Sequence, residues 1–407
     1  MSAPWHRIKY NFWNYFNMLY YFVVAFLGLS FLLLFAGTVL IVFYRPAKRP
    51  AAGHDPVSFP AVTILKPISN IDDEMEKNLE TFYAQDYPNY DIVFGMDTQQ
   101  RECHELVERV SRKFPQTKTT IVSTMAEKRL NPKVATLSRM EPSCTGSLLW
   151  MTDSNVRVEP FTLRMLVRDY AANDSKIVFS PIQGTGSRTM GSIMENAYLN
   201  FFVSGNILLA WSSARQPIIV GKSMLIERYT LEKFGGFSHF QEYLAEDFIM
   251  GRTYRETGLT VSTNFTWVTN FISTATFSRF WSRVVRWSKI RYNTERFYYF
   301  FESLLNPIMV SACALPFLGA KGVPLVAAAV IGKIALEYAA FFAVNSQDRK
   351  KAWIIAVYPL SVLIKDFLLF LIFFTPLINK DVFWRGKNIR LDNKGKITHI
   401  SPAERFS

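Results

Sequence analysis

An uncharged apolar run near the amino terminus, residues 19–44, most constrains what this chain can fold into. Its 26 residues are long enough to cross a bilayer with some tilt. The run is longer than the core of a signal peptide, and no small-residue cleavage site follows it, so it predicts a retained membrane anchor. Three basic residues follow the run closely, whereas two precede it. This charge bias places the large central region in the cytoplasm.

The carboxy-terminal third is apolar again and predicts further membrane segments. The candidates are 304–318, which contains two prolines, 323–344 and 352–376. The tail beyond them is basic, which predicts a cytoplasmic tail. With the amino terminus outside, a cytoplasmic tail needs an odd number of membrane crossings. The anchor and these candidates make four apolar segments. Either one segment is re-entrant, with 304–318 the best candidate, or the tail lies outside.

Charged residues interrupt two of these apolar segments. Lys333 and Glu337 stand four residues apart in one segment, and Lys365 and Asp366 are adjacent in the other. Ionisable groups are expensive in lipid and usually face protein or water. Pairing between helices is one interpretation, and contact with a lipid headgroup is the other.

The region between the membrane segments alternates β-prone runs with helical patterns, after a proline-rich linker at 45–60. The predicted strands are 61–65, 91–94, 119–122 and 147–151, and the predicted helices are 72–83 and 102–114. This alternation predicts an α/β domain with a mostly parallel sheet. The apolar stretch 196–211 predicts either a buried or interfacial helix or a wall of a passage for an acceptor lipid.

The net charge of +13 and pI near 9.5 are compatible with nucleic acid, anionic lipid or an anionic substrate as partner. Many of the basic residues lie close to the membrane segments, which favours lipid headgroups and a diphosphate. Zinc-finger and RNA-binding signatures are absent from the sequence, so no nucleic-acid partner is predicted. The three cysteines have no metal-ligand spacing and predict no disulfide framework.

Two aspartates close apolar runs that are predicted to be strands. Asp97 ends the run 92–97, and Asp153 ends the run 148–153. Carboxylates at the ends of such runs fit the carboxyl edge of an α/β sheet, where these folds hold nucleotides. Together with the membrane segments, they predict sugar transfer from a nucleotide donor to a lipid.

Such a transfer needs a cation for the diphosphate leaving group and a base for the acceptor hydroxyl. Asp153 is the candidate metal ligand, because phosphate-bridging cations take one or two carboxylates. As a lone aspartate after a strand it could equally be a cap or turn residue. Asp247 is the candidate base. Its neighbour Glu246 complicates the choice, because adjacent carboxylates raise each other's proton affinity.

A basic stripe follows these acids. Arg279, Arg283 and Arg286 recur at helical spacing beside aromatic residues that include Trp287. The pattern predicts an interfacial helix, and two interpretations stay open: arginines that face phosphate, or a simple membrane-surface anchor.

Lysines near strand ends complete the set of candidates. Lys66 and Lys133 each lie next to a proline close to a predicted strand end, where they could contact a diphosphate.

In this order, the segments Leu65-Lys66-Pro67, Asn131-Pro132-Lys133-Val134, Asp153-Ser154, Glu246-Asp247 and Arg283-x-x-Arg286-Trp287 resemble ceramide glucosyltransferases. The resemblance also takes in the anchor and Phe383-Trp384-Arg385. It implies an inverting enzyme with a GT-A-type nucleotide-sugar-binding domain inserted between transmembrane helices, one before it and two to three after it. It further implies a UDP-sugar donor, a divalent metal (Mg²⁺ or Mn²⁺) and a β-linkage to a lipid hydroxyl.

The resemblance also implies roles for individual residues. Asp97 binds the uridine part, Asp153 the metal, and Asp247 is the base. Arg286 and Trp287 close over the diphosphate and the acceptor as catalytic residues. The expected substrate-binding residues are Lys66, Asp97, Lys133, Arg283 and Glu246.

This sequence departs from the family pattern at Asn155, where glycine is usual, and at Ala135-Thr136, where an asparagine pair is usual. Glucose transfer to ceramide is the first hypothesis. Transfer of N-acetylglucosamine to a hopanoid is the second. A polysaccharide synthase would need more helices for a pore, and an inactive lipid-binding scaffold would be free to lose the acids.

The expected organisation has seven parts and an unknown oligomeric state. The expected location is an integral membrane protein with a cytosolic catalytic domain, in a bacterial inner membrane, or in a Golgi membrane if the protein is eukaryotic. The parts are an interfacial segment (1–18), an anchor (19–44), a linker (45–60), the catalytic domain (61–276), an amphipathic helix (277–302), a transmembrane region (303–376) and a basic tail (377–407).

Overall fold

The computed structural model describes residues 3–46, 56, 58–125, 131–304, 306–384 and 386–402. Most of the linker and Arg385 therefore lie outside the described residues. The strands are β1 (Val62–Ile68), β2 (Tyr90–Asp97), β3 (Thr119–Thr124), β4 (Leu148–Thr152), β5 (Val156–Arg157), β6 (Ile177–Phe179), β7 (Ile182–Thr185), β8 (Ser223–Glu227), β9 (Val261–Thr263), β10 (Val268–Phe271), β11 (Val382–Trp384), β12 (Lys387–Leu391) and β13 (Ile397–Pro402).

Helices surround these strands and form the membrane segments. They are α1 (Ala3–Phe43), α2 (Met75–Tyr83), α3 (Arg101–Arg112), α4 (Pro132–Met140), α5 (Thr162–Ala172), α6 (Met190–Ala197), α7 (Ser204–Ala214), α8 (Arg228–Lys233), α9 (Glu246–Glu256), α10 (Phe277–Thr294), α11 (Arg296–Leu304), α12 (Pro307–Leu318), α13 (Val323–Val344) and α14 (Ala352–Ile378). A π-helical segment, Tyr198–Val203, joins α6 to α7.

The centre of the catalytic domain is a seven-stranded mixed sheet in the order β3-β2-β1-β4-β8-β6-β9. Strands β3, β2, β1 and β4 are parallel, and β8 runs antiparallel to both of its neighbours. Strand β4 is buried throughout, which explains why it is a continuous apolar run without alternation. The predicted α/β domain with a mostly parallel sheet is confirmed.

Because β1, β2 and β4 are parallel, their carboxyl ends meet at one edge of the sheet. Leu65 of β1 lies in register with Val93 of β2 and with Met151 of β4. The residues that follow these positions, including Asp97 and Asp153, therefore emerge at the same edge. A smaller sheet, β5-β10-β7, packs beside it.

Among the residues that the structure describes, three apolar helical stretches are long enough to cross a membrane: Asn17–Phe43, Pro307–Val344 and Ala352–Ile378. The sequence predicted four apolar segments because α12 and α13 look separate. In the structure, a short 3-10 turn at Gly319–Gly322 joins them. Helix α12 has 12 residues, or roughly 18 Å, which is shorter than the hydrocarbon core of a bilayer.

The anchor helix packs closely on the catalytic domain. A Cβ atom added to Gly37 of α1 would lie 3.8 Å from the Cα atom of Gly205 in α7. Small residues at such crossings let helix backbones approach in membrane proteins. At the end of α1, Trp267 donates its indole N–H to the carbonyl of Tyr44. The first membrane helix is thus joined directly to the domain that follows it.

The secondary structure adds detail at three points along the sequence-based division. Helix α1 runs without a break from Ala3 to Phe43, so residues 3–18 are continuous with the anchor. The amphipathic stretch 277–302 is two helices, because α10 ends at Thr294 and α11 begins at Arg296. The basic tail forms the sheet β11-β12-β13, and the Ile397 N–H donates to the Glu242 carbonyl of the domain at 2.7 Å.

Candidate functional site

A cavity of about 1110 Å³ lies at the carboxyl edge of the sheet and extends to the membrane helices. Eight of the nine residues predicted from sequence line it: Asp97, Lys133, Asp153, Glu246, Asp247, Arg283, Arg286 and Trp287. The ninth, Lys66, is fully buried beneath it. The Lys66 ammonium group donates to the Asp153 carbonyl at 2.6 Å and lies over the Phe82 ring. Burial lowers the pKa of Lys66 well below its ordinary value. Lys66 therefore supports the Asp153 loop from below.

Asp153 sits between two lysines. Its Oδ1 atom is 3.0 Å from the Lys133 Nζ, and its Oδ2 atom is 2.8 Å from the Lys222 Nζ. Burial alone would raise the pKa of Asp153, but the two ammonium groups lower it below its ordinary range. Asp153 is therefore ionised at neutral pH, with both oxygens facing cations.

Asn131 positions Lys133 through the start of α4. The Asn131 side chain accepts from the Lys133 N–H at 3.0 Å as the helix cap, and Pro132 occupies the first helical position. The Asn131 amide donates to Glu246 Oε2 at 2.9 Å. The Lys133 Nζ then lies 3.0 Å from Glu246 Oε1. Burial lowers the pKa of Lys133, but Asp153, Glu246 and Asp247 outweigh it and raise the pKa above its ordinary value.

Asp247 lies in the first turn of α9 with hydrogen bonds to both carboxylate oxygens. Oδ2 accepts from the Gly221 N–H at 2.5 Å, and Oδ1 accepts from the Phe248 N–H at 2.8 Å. A Cβ atom on Gly221 would lie 2.9 Å from Asp247 Oδ2, so glycine is needed for this approach. Burial first, and the Glu246 charge second, raise the pKa of Asp247 to about 6, against the opposing effect of Lys133. A carboxylate of this basicity suits proton abstraction near neutral pH.

The α10 arginines have different partners. Arg283 forms an ion pair with Glu195, which is almost fully buried on α6. The Arg286 guanidinium lies over the Trp384 ring, 5.9 Å from its centroid. Trp384 belongs to the carboxy-terminal sheet and lines the cavity, so the tail contributes to the site. Trp287 lies against Tyr198 of the π-helical segment, with ring centroids 6.1 Å apart.

Comparison with known proteins decides the family. The model of the family described as Glycosyl transferase family 21 matches residues 24–397. The chain belongs to glycosyl transferase family 21. This family 21 chain is 24% identical over 235 residues to ceramide glucosyltransferase 3 of Caenorhabditis elegans, a match that covers 58% of the chain and 51% of the relative. It is 32% identical over 107 residues to a ceramide glucosyltransferase of Komagataella phaffii, covering 25% of the chain and 21% of the relative.

The match to the curated relatives is partial: the family 21 chain spans about half the length of the Caenorhabditis relative. A solved structure, the mannosyltransferase PcManGT from Pyrobaculum calidifontis in complex with GDP-Man and Mn2+, is also similar. It is 18% identical, with a TM-score of 0.47, and the alignment covers 86% of this chain and 99% of that chain.

Several residues of this family 21 site carried no signal in the sequence. Lys222 precedes β8, whose antiparallel pairing sets Ser223 opposite Thr152 and so brings Lys222 beside Asp153. The Lys222 Nζ also donates to the Asn155 Oδ1 at 2.8 Å. Asn155, which stands where glycine is usual in the family pattern, thus helps to position the Lys222 side chain. Glu195 likewise carries no signal in the sequence, because its pairing with Arg283 depends on the packing of α6 against α10.

The residues around Asp153 are chemically compatible with a divalent cation. Among the described residues, no group of three or more His, Cys, Asp or Glu side chains is arranged to hold a metal. A cation that bridges phosphates needs only one or two carboxylates, with phosphate and water oxygens at its other positions. Asp153 supplies one such carboxylate, and the cavity-lining Asp72, which accepts from Ser154, is a nearby second. A bound cation would replace at least one of the two lysine contacts of Asp153.

Proposed function

We propose that this family 21 enzyme transfers glucose from UDP-glucose to the primary hydroxyl of ceramide, with inversion, to give a β-glucosylceramide. The observation that carries the proposal is the single cavity that connects the carboxylates at the sheet edge to the membrane helices. A soluble nucleotide-sugar would occupy the part at the sheet edge, and a lipid would occupy the part lined by the membrane helices. The ceramide glucosyltransferases among its relatives support the choice of sugar and lipid.

The donor would bind at the sheet edge. Asp97, at the end of β2, would accept hydrogen bonds from the uridine part. Lys133 and Lys222 already lie within 3.0 Å of one carboxylate, so they are placed to contact the diphosphate as well. Arg286 would add a planar guanidinium, which can hold two phosphate oxygens at once. A divalent cation, Mg²⁺ or Mn²⁺, would be held by Asp153 and would supply further charge to the leaving diphosphate.

The acceptor hydroxyl would be activated by Asp247. The Asp247 carboxylate takes the hydroxyl proton, and the hydroxyl oxygen attacks C1 of the sugar. The bond between C1 and the UDP oxygen breaks, and UDP leaves with the electron pair. One displacement inverts C1. Trp287, beside Tyr198, would line the path by which the lipid reaches Asp247.

The proposal includes a location. The protein would be an integral membrane protein with its catalytic domain on the cytosolic face of a bacterial inner membrane, or of a Golgi membrane if the protein is eukaryotic. The basic residues after the anchor support this orientation.

Product analysis tests the proposal. Purified protein in detergent micelles is offered UDP-glucose, UDP-galactose or UDP-N-acetylglucosamine, each with ceramide or with a hopanoid polyol, and products are identified by mass spectrometry. We expect glucosylceramide from UDP-glucose and ceramide. Product only from UDP-N-acetylglucosamine and the hopanoid would replace the proposal with the second hypothesis. If no donor–acceptor pair gives either donor hydrolysis or product, the result would favour a lipid-binding scaffold.

A further inference from the structure

The loop that precedes α9, residues 241–245, makes contacts that the mechanism above does not use. It joins the 3-10 turn Phe237–Phe240 to α9, whose first two residues are Glu246 and Asp247. Ala245 stands at the N-cap position of α9, and its methyl side chain cannot accept a hydrogen bond from the first turn. The position of the two acids therefore depends in part on what holds this loop, which we refer to as the pre-α9 loop.

Asn131 holds the pre-α9 loop through two of its carbonyl groups. The Asn131 N–H donates to the Gln241 carbonyl at 2.9 Å, and the Asn131 side-chain amide donates to the Tyr243 carbonyl at 2.9 Å. The same amide donates to Glu246 Oε2. Because Asn131 is the N-cap of α4, the pre-α9 loop is joined to the helix that carries Lys133.

The carboxy-terminal sheet β11-β12-β13 also binds the pre-α9 loop, at the carbonyl group between those two. The Ile397 N–H donates to the Glu242 carbonyl at 2.7 Å, and Lys396 forms an antiparallel β-bridge with Tyr243. The Lys396 Nζ lies 2.8 Å from Glu242 Oε2. The backbone of the loop is therefore bonded to both Asn131 and the carboxy-terminal sheet.

Apolar packing adds to these hydrogen bonds. Leu244 of the pre-α9 loop is 7% exposed and belongs to one buried cluster with Val382, Ile389 and Leu391 of the carboxy-terminal sheet. Burial of apolar surface stabilises this contact, and the backbone hydrogen bonds give it a direction. Leu244 also lines the cavity, so the sheet supports part of the cavity wall.

The carboxy-terminal sheet contacts α9 beyond the acids as well. A Cβ atom on Gly395, in the turn between β12 and β13, would lie 3.9 Å from Ile249 Cδ1 and 2.5 Å from Thr294 Cγ2. Ile249 stands two residues after Asp247, and Thr294 ends α10. The sheet therefore contacts the chain both before and after the pair Glu246–Asp247.

We propose that the carboxy-terminal sheet positions Asp247 at the cavity by holding the pre-α9 loop, with Ile389 of the central strand β12 as a positioning residue. The proposal rests on the proposed function, in which Asp247 takes the proton of the acceptor hydroxyl. A displacement of about 1 Å at a reacting group can cost up to about a hundredfold in rate. The sheet thus contributes to turnover although Asp247 belongs to α9.

The variant Ile389→Ala tests this role, because it removes a side chain from the cluster around Leu244. We expect kcat for transfer to ceramide to fall at least about tenfold. The KM for UDP-glucose should stay within about twofold, because Asp97 and Asp153 follow other strands. Ile389→Val should retain most of the activity. Phe383→Leu, at a half-exposed position of β11, is the matched control and should leave kcat in place. An unchanged kcat in Ile389→Ala overturns the proposal.

A disulfide separates positioning from a general loss of folding. Tyr243 and Lys396 lie opposite each other in an antiparallel bridge, where Cα atoms are about 4.5–5.5 Å apart, a separation that a disulfide can span. After the three native cysteines are replaced, Tyr243→Cys and Lys396→Cys are added to Ile389→Ala. Oxidation should restore kcat, and reduction should remove the gain. With the native Ile389, oxidation should leave kcat unchanged. No recovery on oxidation, or inactivation of the protein with native Ile389, overturns the proposal.

Hydrogen exchange measures the attachment of the pre-α9 loop without any substrate. Amides of residues 241–249 should exchange faster in Ile389→Ala than in the wild type, and equal rates overturn the proposal. Wild-type transfer from UDP-glucose to ceramide is measured alongside. Its absence overturns the proposed function, whereas the exchange rates and the disulfide still report whether the sheet holds the loop.

Discussion

Asp247 combines a partly buried carboxylate, two backbone hydrogen bonds and a pKa raised to about 6. We expect Asp247→Asn to retain UDP-glucose binding but to lose transfer by at least about a hundredfold, the usual effect of a missing general base. Binding of UDP-glucose by calorimetry and transfer by product assay separate the two effects. Near-normal turnover would move the role of base to another residue, with Glu246 the first candidate.

The pair Glu246–Asp247 also predicts a pH dependence. The base works only when it is deprotonated, so kcat/KM should be retained above pH 6 and fall as the pH drops through about 6. The Glu246 charge contributes to the raised pKa of Asp247. Glu246→Gln removes that charge and should move the acid limb to lower pH. Glu256→Gln, at the exposed end of the same helix, should leave it in place. An unshifted limb in Glu246→Gln would show that the limb belongs to another group.

Lys222 contacts the Asp153 Oδ2 atom, which a cation bound by Asp153 would also use. In Lys222→Met, we expect the KM for UDP-glucose to rise about 10- to 100-fold, in line with the loss of a charged hydrogen bond. Without donor, Mn²⁺ should bind the variant more tightly than the wild type, because one carboxylate oxygen is released. Electron paramagnetic resonance of Mn²⁺ measures this directly. Lys176→Met, which removes a lysine paired with Glu227 outside the cavity, is the control. Weaker Mn²⁺ binding in Lys222→Met would contradict this competition.

At the scale of elements, a catalytic role and a membrane-attachment role for α10 predict different outcomes for its arginines. Both arginines line the cavity, but Arg286 lies over the Trp384 ring, whereas Arg279 donates to the Thr274 carbonyl near the start of the helix. Lysine keeps the charge but loses the planar fork. Arg286→Lys should therefore lose much more transfer activity in detergent micelles than Arg279→Lys, while both remain membrane-bound. Equal and mild losses of activity in the two variants would contradict the catalytic role. The arginine stripe would then be a membrane-surface anchor, in which each charge contributes about 1 kcal/mol to membrane binding.

The sequence predicted which aspartates lie at the carboxyl edge of the sheet, but it did not predict which side chains contact them. Asp97 and Asp153 were visible because each ends an apolar run, and parallel strands bring such ends together. Lys222 was not visible, because its place beside Asp153 depends on β8 returning antiparallel to β4. The functional meaning of Arg283 was also open, because its partner Glu195 lies 88 residues away in the chain. The local sequence pattern predicts individual strands and helices. The side-chain partners of Lys222 and Arg283 depend on how distant strands and helices pack together.

At the scale of the whole molecule, the ends of the last membrane helices meet the catalytic domain. After α13, Asn345 accepts from the Thr185 hydroxyl of β7. Just before α14, the Lys351 Nζ donates to the Ser187 carbonyl. Just after α14, the Asp381 carbonyl accepts from the Lys289 Nζ of α10. Both ends of α14 therefore contact the catalytic domain, although its length alone would allow a crossing of the membrane.

This arrangement predicts the topology that charge counting left open. We expect α12 and α13 to enter the membrane and return, α14 to stay beside α6 and α10, against which it packs, and the tail to stay with the domain. Single cysteines at Gln347 and Asn379, introduced after Cys103, Cys144 and Cys313 are replaced, should both react with an impermeant maleimide only when the domain side is open. A cysteine at Lys321, in the turn between α12 and α13, should differ from them in access. Labelling of positions 347 and 379 from opposite sides would mean that α14 crosses the bilayer. The tail would then be separated from the domain to which Ile397 bonds, so the interface between tail and domain would have to be abandoned together with this topology.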